Sequence, residues 1–173
     1  MAGSRDIPDV RVDATYRDAA ASAVETRAAE VFEHRGRALD TGDIEGVHDM
    51  RVATRRLRAV MEIFAPCFPK ADHRRLLKQV KNLADVLGER RDPDVMIDGL
   101  EKIAEDLTGA DYAGIQHLEE ELRASQSSAN LRLAALLDEI EASDLHGQLL
   151  ALAANARLPA AVDSDLLDEE PAA

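Results

Sequence analysis

Residues 47–64 read VHDMRVATRRLRAVMEIF, and the side chains there that can hold an anion along one line are His48, Arg51, Arg55 and Arg58. Their spacings are three, four and three residues. At about 100° per residue they fall within roughly 80° of one another on a helix, a row of donors parallel to its axis. Arginine offers a planar fork that grips two oxygens at once, and His48 adds a titratable donor. Arg56 points away from the row. A second row follows, in which Arg74, Lys78 and Lys81 share roughly 60° of the next helix. Like charges at these spacings repel, by about a few tenths of a kcal/mol per pair on an isolated helix, so two such rows are no stability device. A bound anion would relieve the repulsion. Asp85, one turn beyond Lys81, is expected to neutralise part of the field.

The charge is segregated along the chain. Residues 47–91 carry eleven Lys or Arg against five acids, a local net of +6, inside a chain whose formal net charge is −13. Such asymmetry describes an electrostatic partner rather than a fold: polyanions are repelled everywhere except at one patch.

Several helices must position these rows. Gly and Pro are sparse, Ala and Leu abundant, and 46% of the 173 residues are apolar but only 3% aromatic. This composition predicts an all-α fold, an antiparallel bundle of four to five helices with an aliphatic core. The first helix is expected over residues 13–39, ending at Thr41-Gly42-Asp43. Asp43 caps the second, which carries Met50, Ala53, Leu57, Val60, Met61 and Phe64 on an apolar face beside the cations and stops near Ala65, before Pro66. The third is expected over 71–87 with Leu76, Val80, Leu83 and Leu87 inward, closing at Gly88. Asp92-Pro93 then reads as an N-cap and first turn of a fourth helix ending near Gly109. From Ala110 to about Arg157 the pattern is helical again, weakened at Ser125–Ser128. The second and third helices, joined by a short connection, should pack antiparallel and bring their cations into one groove.

Residues 1–158 are thus expected to form a single domain and 159–173 an acidic mobile tail, whose carboxylates are expected to compete for the basic groove at low salt. The chain has no apolar run of the roughly 20 residues needed to cross a bilayer, and its N-terminus lacks the apolar core of a secretory signal, so it is expected to stay in the cytoplasm. Cys67, the lone cysteine, reads as a small buried apolar residue.

The run Val47-His48-x-x-Arg51-Val52-Ala53-Thr54-Arg55-Arg56-Leu57-Arg58, followed by Leu83-Ala84-x-x-Leu87-Gly88-x-x-Arg91-Asp92-x-Asp94-Val95, resembles the CHAD domain, the conserved-histidine α-helical domain, over about residues 43–100. The resemblance implies a helical bundle that binds inorganic polyphosphate through basic side chains, with no established catalytic activity of its own. By it, His48, Arg51, Arg55 and Arg58 would line the anion site with Arg74, Lys78 and Lys81 as the opposing wall and Arg91 at the rim, with no cofactor and no metal. A linear polyanion with acceptor oxygens on every unit suits a row of donors at helical rise, and its binding gains from counterion release. Members of that family usually contain two related halves. No second basic helix follows Gly109, so the chain reads as a short member or as one half, which a homodimer would complete.

Three rival readings are weaker on the residues. Nucleic acid carries the same phosphate charge, but Tyr16, Phe32, Phe64, Phe68 and Tyr112 do not interleave with the cations as stacking platforms would. The five histidines lack carboxylate partners at metal-site spacing, and there is no P-loop glycine pattern. Glu119-x-Glu121-x-Arg123 superficially resembles the charge alternation of triphosphate-tunnel enzymes, whose chemistry needs a β-barrel; on a helix it is a solvated face. A protein-interaction module that docks an acidic segment on the basic stripe is the remaining alternative.

Overall fold

The computed structural model describes residues 5–8 and 14–158, so the expectations for the tail at 159–173 lie outside the described residues. Among the described residues six helices follow one another: α1 (Tyr16–Glu33), α2 (Arg35–Ala38), α3 (Ile44–Ile63), α4 (Lys70–Ala104), α5 (Gly109–Ala142) and α6 (Leu145–Ala156), with a 3-10 turn at Ala65–Cys67. No strand occurs among the described residues.

Local chemistry sets several of the boundaries. Thr15 and Asp18 form a capping box at the start of α1, each side chain accepting from the other's backbone N–H at 3.1 and 3.3 Å. Asp43 caps α3 as expected, its Oδ1 accepting from the Gly46 N–H at 3.2 Å. α3 ends at Ile63, just short of the position expected from Pro66. Asp144 adopts a left-handed conformation (φ 50°) that separates α5 from α6, and its carboxylate caps Gly147 at 3.0 Å.

The middle of the chain departs from the sequence reading. The helix does not close at Gly88, and Asp92 caps nothing: α4 runs unbroken for 35 residues with Pro93 inside it. Asp92 is an exposed residue on its surface. The reason is a core stripe that continues past Leu87. Leu76, Val80, Leu83, Leu87, Arg90, Asp94 and Ile97 recur at alternating spacings of three and four and are all buried. Two charged residues at core positions hid that continuation. Packing of this stripe on α5 overrides the local preference of Pro93 to start a helix. Likewise α5 passes through Ser125–Ser128 without a break, because Gln126 and Ala129 belong to its own buried stripe with Leu133, Leu137 and Ile140. The first helix is shorter than expected, stopping at Glu33, and residues 35–38 form a separate turn.

α1 packs on α3 and α6, α3 on α4, and α4 on α5. The core between them is aliphatic: Val24, Val31, Met50, Leu57, Val80 and Leu149 are at most 1% exposed. Cys67 is buried too, and desolvation pushes its thiol pKa up against the opposing pull of Arg17. α4 and α5 extend beyond the other helices. Between Ile97 and Gln126 no residue is buried, so the two helix ends and their connection project as a hairpin. No helix of the described residues is long and apolar enough to cross a membrane.

Candidate functional site

The amphipathic design of α3 decides where its cations point. Val47, Met50, Ala53, Leu57 and Met61 are buried and hold the helix against the core, while Arg55 stays exposed and His48, Arg51 and Arg58 half-exposed along the other side. On α4 the same logic buries Leu76, Val80 and Leu83 and turns Arg74 and Lys78 to solvent, with Lys81 half-exposed. Seven residues of helix rise about 10 Å, so the Arg51–Arg58 and Arg74–Lys81 spans are of equal length.

The two rows come together across the α3–α4 seam. Glu62 Oε1 accepts from Arg58 Nε at 3.1 Å and lies 3.0 Å from Lys81 Nζ, so one carboxylate joins a cation of each row. Further along the antiparallel pair, a side chain built on Gly88 would first meet Arg51 Nε, at 3.9 Å, which places that guanidinium over α4. At the far end Arg91 Nη1 donates to the Ile44 carbonyl at 3.3 Å and lies 3.8 Å from Asp94 Oδ2, with its side chain only 15% exposed. Arg91 thus ties α4 to the first residue of α3 and stands apart from the open rows. Arg51, Arg55, Arg74 and Lys78 make no ion pair among the described residues. His48 likewise makes no hydrogen bond among them.

The acid within the seam is Glu62, and the expected neutraliser, Asp85, makes no ion pair among the described residues. Lys81 and then Arg58 hold the Glu62 carboxyl below its ordinary pKa of 4.5. The Arg58–Glu62 contact is legible as a four-residue spacing, whereas the contact with Lys81 requires the helices to be packed.

Two further features position the rows and left little trace in the sequence. A Cβ on Gly46 would come within 2.3 Å of the Arg37 carbonyl oxygen, so the first turn of α3 sits directly on the α2 backbone and only glycine fits. Behind the far end of the seam, Arg90 and Asp94 form a fully buried ion pair. Arg90 Nε donates to Asn130 Oδ1 at 2.9 Å, Gln126 Nε2 donates to Asp94 Oδ1 at 2.6 Å, and Asn130 Nδ2 donates to the Leu39 carbonyl at 3.1 Å. The network clamps α4, α5 and the chain leading into α3. The motif that reads Arg91-Asp92-x-Asp94 therefore does structural work through Asp94 and its neighbour Arg90.

What remains open to solvent is an elongated cationic strip with one internal acid. It has the chemistry to coordinate several anionic oxygens spaced along a line, through guanidinium forks and ammonium point charges. Among the described residues no group of three or more His, Cys, Asp or Glu side chains is placed to hold a metal ion. The isolated triad Glu119, Glu121 and Arg123 lies on the helical hairpin, where Arg123 pairs with Glu101 at 2.8 Å and stands 3.8 Å from Glu119.

Residues 22–172 match the family described as CHAD domain, well beyond the stretch that carries the two sequence motifs. No curated protein and no solved structure matches the chain.

Proposed function

The chain belongs to the CHAD domain family, and on that footing we propose that it binds inorganic polyphosphate, or a similarly phosphate-rich linear polyanion, along the α3–α4 seam, without turning it over. The observation that carries this reading is the meeting of two cationic rows at Glu62 while Arg51, Arg55, Arg74 and Lys78 keep their charges unpaired among the described residues. A chain of phosphates laid along the seam would replace the repulsion within each row by charge-assisted hydrogen bonds and would release condensed counterions. His48 and Arg51 would meet the polymer at one end, Arg58, Lys81, Lys78 and Arg74 at the other, with Arg55 between them. A narrow flexible polymer suits this strip better than a duplex, because the surrounding surface is acidic and repels a wide polyanion.

The test is a titration of long-chain polyphosphate at near-physiological salt, with duplex DNA and orthophosphate as competitors. Binding should be displaced by neither and should weaken steeply as salt rises. Arg55→Ala with Arg58→Ala should lower the affinity strongly and leave the helical circular-dichroism signal intact, since neither side chain faces the core. Displacement by DNA would make the ligand a nucleic acid. Failure of polyphosphate to bind, or loss of folding in the double variant, would overturn the reading.

A further inference from the structure

α4 carries a charge pattern that extends beyond the phosphate site. On its outward face Arg74 and Lys81 are seven residues apart, and so are Asp85 and Asp92 further along. At about 100° per residue all four lie within roughly 40° of one another. Arg74, Asp85 and Asp92 are exposed, and none of the three makes an ion pair among the described residues. Lys81 reaches across to Glu62 rather than along its own helix to Asp85.

Two cations and two anions at the same two-turn spacing on one helix face are self-complementary when a second copy of that helix runs antiparallel. We propose that the outward face of α4 docks a second copy of this chain about a two-fold axis midway between Lys81 and Asp85. In that register Arg74 meets Asp92 of the second copy and Lys81 meets its Asp85, and the two-fold repeats both pairs, as an isologous interface requires. Each pairing is between opposite charges and no like charges are opposed.

Apolar chemistry follows the same line. Past Arg91, where α3 begins and cover from that side ends, the face continues as Val95, Met96 and Ile103, which are 54, 53 and 54% exposed. By the two-fold, Val95 and Met96 lie just beyond each Arg74–Asp92 pair, opposite the first turn of α4 in the second copy, and the charged pairs between them set the register.

Arg74 and Lys81 belong to both surfaces, so a second copy and a phosphate polymer would exclude each other. That consequence rests on the proposed function; the self-association does not. The experiment is light scattering or sedimentation of the full chain over a range of protein concentrations. The wild type should form dimers as concentration rises, and a monomer throughout the soluble range would overturn the proposal. Asp85→Lys with Asp92→Lys should weaken association more than tenfold, and so should Arg74→Glu with Lys81→Glu. An equimolar mixture of those two variants should form a heterodimer, because every pair is again between opposite signs. Unchanged dimerisation of either variant, or failure of the folded variants to complement each other, would refute the register. Long-chain polyphosphate should convert the wild-type dimer into monomeric complexes. A dimer that binds the polymer and stays intact would refute the exclusion. A dimer with the expected charge-swap behaviour that binds no polymer would instead sink the phosphate reading and leave the self-association standing.

Discussion

Replacing Glu62 by Gln should tighten polyphosphate binding. The carboxylate sits 3.1 Å from Arg58 and 3.0 Å from Lys81, and is therefore a tethered competitor for two cations of the proposed site. Its side chain is 42% exposed, as are those of its partners to a similar degree, so each contact is worth only about 0.2–1 kcal/mol. Removing both contacts should raise affinity by about 0.4–2 kcal/mol, or about 2- to 30-fold. One or two more phosphates neutralised should also steepen the dependence of log affinity on log salt by roughly 0.7–1.4. Titrations of wild type and variant at several salt concentrations measure both quantities, and the melting temperature should move little because the pair is at the surface. Lys81 and Arg58 hold the Glu62 carboxyl below its ordinary pKa of 4.5, so the wild type should approach the variant only on acidification past that value. Equal affinities with equal slopes would mean that the ligand never touches Arg58 or Lys81. Weaker binding by the variant would mean that Glu62 aligns the two cations instead of competing for them.

Three stability predictions accompany it. Gly46→Ala must push the α3 N-terminus off the Arg37 carbonyl, which should cost about 1–3 kcal/mol and lower the melting temperature by several degrees in a thermal scan. Asp94→Ala strands the Arg90 guanidinium in a buried site and should cost about 3–5 kcal/mol in urea unfolding, whereas Arg90→Met with Asp94→Leu should recover most of that loss. Acid should unfold the protein mainly below the ordinary carboxyl range. Arg37, Lys81 and Arg35 hold Asp43, Glu62 and Glu141 below their ordinary values of 3.8, 4.5 and 4.5. The stability from these groups is fully present above those values and is lost as pH falls through the lower folded ones, which a pH series of thermal melts would follow.

Much of the architecture was legible because it is local. The apolar face of α3 beside its cations follows from residue spacing alone, as do the Asp43 cap and the stop before Pro66. The fold departs from local sequence signals where tertiary packing overrules local preference. Gly88 and Asp92-Pro93 carry ordinary signals for ending one helix and starting another, yet α4 passes through both. The polar core positions Arg90 and Asp94 interrupt the apolar stripe in the sequence, while in the fold they pair with each other and bond Asn130 and Gln126, leaving Arg90 Nη2 and Asp94 Oδ2 without a hydrogen-bond partner among the described residues. Gly46 showed nothing, because its role is defined by a backbone carbonyl from another element.

By itself the sequence determined that the protein is helical, that a net positive balance is found in one region of an acidic chain, and that the cations there run in rows along two successive helices, since helical periodicity needs only residue order. Only the tertiary structure decided that the rows share a seam, that Glu62 rather than Asp85 is the acid within it, and that Arg91 is drawn away to hold the start of α3. Those outcomes depend on which helix faces lie within a few ångströms of each other, a relation between residues distant in the chain that no local spacing encodes.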